Sequence, residues 1–156
     1  MIIVGYQGIG KSTLAKDSNK YIDLESGNFW IDGGRHDDWY KIYCKIAAHL
    51  SRQGYTVFVS SHYVVREELR QYSVTEEIKC CFPDLSLKDE WVIKLEDRYN
   101  NSKLEKDYKA WQNAKLLYTS NISEISTCGF ESICIKSMDY DLKELIEYKE
   151  HWGNCR

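Results

Sequence analysis

Gly5, Gly8, Gly10, Lys11 and Ser12 fall in the pattern G-x-x-x-x-G-K-[ST]. Each position suits a polyanion. Glycine has no Cβ, so the backbone can turn tightly and bring its N–H groups against phosphate oxygens. Lys11 adds a point charge for the outer phosphates. The Ser12 hydroxyl can enter the coordination shell of Mg²⁺, an ion that keeps most of its ligands as water and phosphate. Thr13 is placed for a further hydrogen bond, so Gly5, Gly8, Ile9, Gly10, Lys11, Ser12 and Thr13 form the candidate phosphate-binding set. An apolar strand over 1–4 precedes the loop and a helix-compatible run follows it, which is the context the motif needs. The helix beginning near Lys11 is expected to aim its first N–H groups at the anion. Chance would place the bare pattern in on the order of one in a few hundred chains of this length.

Other residues could complete a chemistry of phosphates. Asp23 and Glu25 stand in the run YIDLESG at the end of a second predicted strand. Alternation would send both to one side, where two carboxylates could serve a metal's water shell and an acceptor hydroxyl; the plainer alternative is acids that solvate a strand end. Ser61, His62 and Arg66 follow a third strand. The planar fork of Arg66 matches phosphate or carboxylate oxygens, and its alternative is a surface helix charge beside Glu67 and Glu68. His62 is the weaker choice of base. Lys94 and Arg98, four apart on a helix predicted over 87–99, point one way, with Lys88 and Lys103 nearby. Glu90, Glu96 and Asp97 make a solvated face the plain alternative there. Among the aromatic residues, helical spacing gives Trp39 and Tyr43 to the core, while Trp30, in the loop after Gly27, is the candidate substrate contact.

The elements that must position these residues follow from hydrophobic patterning. A chain of 156 residues with 12 Tyr and 5 Trp has enough apolar material for one folded domain, 1–156. Apolar runs over 1–4, 20–24, 56–60, 77–82 and 132–136 predict strands. Between them, residues 39, 42, 43, 46, 47 and 50 recur at helical spacing, after Asp37 and Asp38 and before Gly54. Ser86 with Asp89, and Ser102 with Glu105, have the spacing of capping boxes, and Asn100 and Asn101 predict a break between two helices. A last helix is expected over 141–148. Strands alternating with helices predict an α/β fold with a parallel sheet of about five strands, helices on both faces and ligands at the carboxyl ends of the strands.

Charge and cysteine usage narrow the setting. The net charge of −3 speaks against a protein that coats nucleic acid, and no stretch approaches the ~20 apolar residues of a membrane helix. Only Met1–Val4 precede the loop, so no signal peptide is expected and the setting is expected to be cytoplasmic. The six cysteines form no CxxC pair and are expected to be reduced thiols used as small apolar side chains.

A GTP switch would carry Asn-Lys-x-Asp, which Lys136-Ser137-Met138-Asp139 matches poorly. A motor ATPase would end a second strand in a metal-orienting Asp, whereas 56–60 ends in Ser60, Ser61 and His62. The order of glycine-rich loop, strand with an acidic pair, and strand ending in small polar residues then Arg resembles the small P-loop kinases. These include nucleoside monophosphate, shikimate and gluconate kinases and small phage-encoded nucleotide kinases. The resemblance spans the architecture of nearly the whole chain, and its one specific motif is the phosphate loop. It implies a P-loop fold, ATP with Mg²⁺ as donor, and a mobile helical lid, here about 86–118. It also implies roles: Ser12 and Asp23 toward the metal, Lys11, Asp23 and Arg98 in catalysis, and Glu25, Trp30, Ser61, Arg66 and Lys94 toward substrate. The acceptor implied is a nucleotide or nucleoside. The alternatives are a kinase acting on a hydroxymethylated base in DNA and a regulatory module that hydrolyses ATP slowly. Nine residues separate Thr13 from Asp23, so the first helix is shorter than such kinases usually have.

Overall fold

Ile2, Ile3 and Val4 are fully buried, and they make the strand that delivers the chain to the glycine-rich loop. The computed structural model describes residues 1–31 and 33–148. In chain order the elements are β1 (Ile2–Gly5), α1 (Lys11–Asp17), β2 (Tyr21–Asp23), β3 (Trp30–Ile31), β4 (Gly34–Arg35), α2 (Trp39–Arg52), β5 (Thr56–Ser60), α3 (Tyr63–Leu69), β6 (Ile78–Pro83), α4 (Lys88–Ser102), α5 (Glu105–Ser126), β7 (Glu131–Ile135) and α6 (Leu142–Glu147). Single 3₁₀ turns occupy Ser26–Phe29, Arg70–Tyr72 and Leu85–Leu87.

Five strands form one parallel sheet in the order β2-β5-β1-β6-β7. Ile2 lies opposite Val57 and Gly5 opposite Ser60, and Asp23 lies opposite Phe58. The carboxyl ends of β1 and β5 therefore come level at Gly5 and Ser60, while β2 stops two residues short, at Asp23; parallel sheets hold their ligands beyond these ends. The near-continuous apolar runs of these strands fit burial on both faces. The five strands anticipated from patterning are all present, each within one or two residues of its expected bounds.

The residues cluster into two compact units. The first holds 1–6 and 10–80. Its core joins Ile2, Ile3, Val4, Val57, Phe58 and Val59 of the sheet to Tyr43, Cys44, Ala47 and Ala48 of α2 and to Val65 and Leu69 of α3. The second holds 7–9 and, among the described residues, 81–148. There Phe82, Ile133 and Ile135 are buried with Trp91 and Leu95 of α4 and Ala114, Tyr118, Ile122 and Ile125 of α5.

Several local expectations differ from the structure. An antiparallel hairpin, β3 with β4, was not anticipated. Its turn includes Gly33 at φ +85°, a conformation glycine adopts without strain. Asn100 and Asn101 continue α4, and the break falls at Lys103, which takes the left-handed conformation at φ 56° and returns its N–H to Tyr99 O at 2.8 Å. Neither capping box forms. Asp84 accepts from both the N–H and the hydroxyl of Ser86, because an ionised carboxylate is the stronger acceptor. Ser102 accepts from Leu104 N–H and donates to Asp107, not to Glu105. Glu25 lies beyond the end of β2, so strand alternation does not carry from Asp23 to it.

Cys44, Cys80, Cys81 and Cys128 are buried free thiols. Cys134 is disulfide-bonded, which departs from the expectation of reduced thiols throughout, and Cys155 lies outside the described residues. Sequence spacing alone cannot say which sulfurs meet in a fold. Among the described residues no helix is long and apolar enough to cross a membrane.

Candidate functional site

The glycine-rich loop is shaped by its own sequence. Gly8 and Gly10 have φ of 85° and 103°, which a residue with a Cβ would adopt only under strain. Gly10 is the N-cap of α1, and its carbonyl accepts from Leu14 N–H at 3.1 Å. As the short gap before Asp23 required, α1 has only seven residues. Ser12 and Thr13 are exposed in its first turn. Lys11 Nζ curls back to donate to Gly5 O at 3.1 Å.

In the first unit, the ends of β2 and β5 are tied by one side chain. Tyr43 donates its phenol to Leu24 O at 2.6 Å and accepts from Ser60 N–H at 2.9 Å. Burial, and then the charges of Asp23 and Cys44, push this phenol well above its ordinary range despite its bonds to Ser60, so it stays protonated. Asp23 is part-buried at the end of β2, whereas Glu25 is exposed. Beyond β5, His62 Nδ1 lies 2.8 Å from Ser60 Oγ. Although much of its surface is open, the protein packed round it and the cations Arg35 and Lys11 push its pKa down, leaving a neutral imidazole at neutral pH. Arg66 is buried and donates through Nε to Ser61 O at 3.1 Å. It is therefore not a solvated helix charge.

Arg35 is the residue that sequence reasoning missed. Its guanidinium carbon sits 4.4 Å from the Trp39 ring centre and 5.4 Å from that of Trp30, a geometry in which two aromatic faces hold a cation. Its Nη2 reaches Ser26 Oγ only at 3.4 Å. Its Nε is shut off from solvent and meets no acceptor among the described residues. Trp30 is 55% exposed. Phe29, Trp39 and Tyr43 pack edge to face behind this cluster, with Trp39 also against His62. Lys11, Arg35 and His62 thus make one electropositive neighbourhood, suited to an anion. The Asp32-Gly33 pair in the sequence is a hairpin signal that could have found β3 and β4. The register of that hairpin sets Arg35 opposite Trp30, with Trp39 four residues further on.

In the second unit, the middle of the loop is held by its carbonyl groups and by one side chain. Trp91 Nε1 donates to Gln7 O at 3.0 Å. Tyr140 donates to Ile9 O at 2.8 Å and lies 3.5 Å from Gly8 O. The Gln7 side chain donates to Ala110 O and Asn113 Oδ1 of α5. A Cβ on Gly8 would come within 2.9 Å of Leu95 Cδ2 and 3.3 Å of Trp91 Nε1. Lys94, taken from sequence as a substrate contact, instead donates to Tyr140 Oη at 2.8 Å and sits over the Trp91 and Tyr140 rings.

Arg98 Nη2 lies 2.7 Å from Asp107 Oδ1, close as an ion pair although its N–H is not aimed along the lone pair. Asp107 is almost wholly buried and Arg98 about half exposed. The structure thus gives Arg98 a folding role that sequence did not suggest. Arg98→Ala is expected to lower stability by about 1–3 kcal/mol by stranding a buried carboxylate, read from the midpoint of urea unfolding. An unmoved midpoint would return Arg98 to the class of solvated charges.

Among the described residues, no group of three His, Cys, Asp or Glu could cage a metal. Ser12 and Asp23 supply the hard oxygen atoms that suit a Mg²⁺ held mainly by phosphate and water. No protein-family model and no curated protein sequence matches the chain.

Proposed function

We propose that the chain is a P-loop kinase, moving the γ-phosphoryl group of ATP to a small acceptor, a nucleotide or nucleoside, in the cytoplasm. The observation that carries this reading is the loop itself: G-x-x-x-x-G-K-S between β1 and α1, with Gly8 and Gly10 at positive φ and the carbonyls of Gln7 and Ile9 engaged by side chains. A loop whose carbonyls are occupied can present its N–H groups to an anion.

In this reading Lys11 neutralises the outer phosphates, and Ser12 with Asp23 would hold Mg²⁺, which supplies charge neutralisation when bound. The Asp23 carboxylate acts on the water shell of that ion or on the acceptor hydroxyl. Arg98 is the cation of a helical lid over about 86–118, and Glu25, Trp30, Ser61 and Arg66 belong to the acceptor side. Arg35, held between Trp30 and Trp39, joins them as the reader of an anionic group on the acceptor.

The test is ADP release from ATP and Mg²⁺ by the purified protein, screened against nucleosides, nucleotides, hydroxymethylated DNA and small hydroxy acids. Stimulation by a nucleoside or nucleotide supports the reading. Stimulation by DNA alone would move the acceptor to a base within a polymer, and slow release that no acceptor stimulates would make the chain a regulatory module. With the acceptor in hand, Arg35→Ala should lower kcat/KM by on the order of a hundredfold, the worth of a charge-assisted contact. ATP affinity should stay near the parent value, and Arg35→Lys should recover only part of the loss because a point charge lacks the planar fork. An Arg35→Ala enzyme with unchanged acceptor kinetics would leave the two tryptophans a purely structural clamp.

A further inference from the structure

Tyr140 stands far from the loop in sequence, yet its phenol is the donor to Ile9 O, and it stacks on Trp91 with ring centres 6.0 Å apart. Its oxygen in turn accepts from Lys94 Nζ at 2.8 Å. The direction of this relay follows from the donor inventory. A lysine ammonium carries only donors, so it must use the phenol as acceptor. With its lone pair taken, the phenol has one proton left, and that proton points to Ile9 O. A neutral lysine amine has a lone pair of its own and can take the phenol proton instead, turning it away from the loop.

We propose that Tyr140 and Lys94 are positioning residues that hold the glycine-rich loop in its anion-receiving form, and that the proton on Lys94 sets how firmly they do so. This rests on the reading of the loop as a phosphate site. Lys94 suits the task because its pKa is drawn down to about 8, first by burial and then by the neighbouring charge of Arg98. Burial, with a smaller contribution from Cys81, pushes the Tyr140 phenol the other way, so the phenol keeps its proton throughout. The groups facing the relay are therefore Arg98 on the same helix, Tyr140 itself, the Trp91 ring and Cys81 of β6. The sign is fixed by these shifts: the loop is held below the Lys94 pKa and loosens as pH rises through it.

The experiment measures binding of ATP with Mg²⁺ to the intact protein by calorimetry from about pH 7 to about pH 9.5, and amide hydrogen exchange over 7–10 at neutral pH in the free protein. The parent should weaken about three- to tenfold across that range, the worth of one hydrogen bond. Tyr140→Phe, which keeps the ring on Trp91, should bind about three- to tenfold more weakly at neutral pH, exchange faster over 7–10, and lose the pH dependence. Lys94→Met should lose the pH dependence too, and it serves if the tyrosine variant folds poorly. A parent that binds no triphosphate at any pH would sink the phosphate-loop reading and this proposal with it. A parent that binds, alongside variants that match it in affinity, exchange and pH slope, overturns the relay and leaves the phosphate loop standing.

Discussion

Lys11→Ala should abolish the thermal stabilisation that ATP with Mg²⁺ gives the parent protein, and should lower phosphoryl transfer by ~10³-fold or more. A ligand at a hundred times its dissociation constant adds about 2.7 kcal/mol to stability, a shift of several degrees that a melt resolves easily. Any loss in the free protein, where the ammonium donates to Gly5 O at the loop's own start, is read separately from the melt without nucleotide. The informative comparison is therefore between melts with and without nucleotide for both proteins. A parent melting temperature that ignores millimolar ATP with Mg²⁺ would remove the basis for treating the loop as a phosphate site.

Asp23→Asn carries the second large effect. As the acceptor's base or the orienter of a metal's water shell, Asp23 should contribute about 10²–10⁴-fold to turnover, while ATP affinity changes little. It stands at the carboxyl end of β2, opposite Phe58, and close enough for its charge to act on the Tyr43 phenol. Glu25, exposed and outside the strand, should behave differently. Glu25→Gln should raise the acceptor KM with kcat nearly unchanged. Steady-state kinetics of the two variants separate the roles, and full activity in both would make the acids mere solvation of a strand end.

How far the sequence could be read depended on the range of the interactions involved. The parallel sheet was legible because runs such as Thr56–Ser60 are apolar on both faces, a purely local property. The turn after β1 was legible because its glycines stand at fixed spacing within eight residues, and Gly8 and Gly10 do take positive φ. Helix ends were read less well. Asp84 and Ser86 compete within three positions for one cap, and only the fold decides between them. Arg35 and Tyr140 could not be read at all. Tyr140 is defined by partners distant in the chain, Ile9 and Lys94, whereas Arg35 meets Trp30 and Trp39 through a short hairpin that hydrophobic patterning does not reveal. Lys94 illustrates the cost of this. A shared helix face with Arg98 suggested a common target, whereas the structure sends one to Tyr140 and the other to Asp107.

Where a parallel sheet stops, its last amides and carbonyls diverge, and water ordinarily fills the gap between neighbouring strands. Here the Tyr43 phenol fills that gap, bonded to Leu24 O on one side and Ser60 N–H on the other. A water in that place would exchange with bulk and could be displaced by any ligand that offered better hydrogen bonds. The phenol is tethered by its own helix and does neither. The separation of Leu24 and Ser60 is thus set by two hydrogen bonds on a single oxygen atom, like a pin through two links, and that atom is placed by a rigid ring rooted in α2.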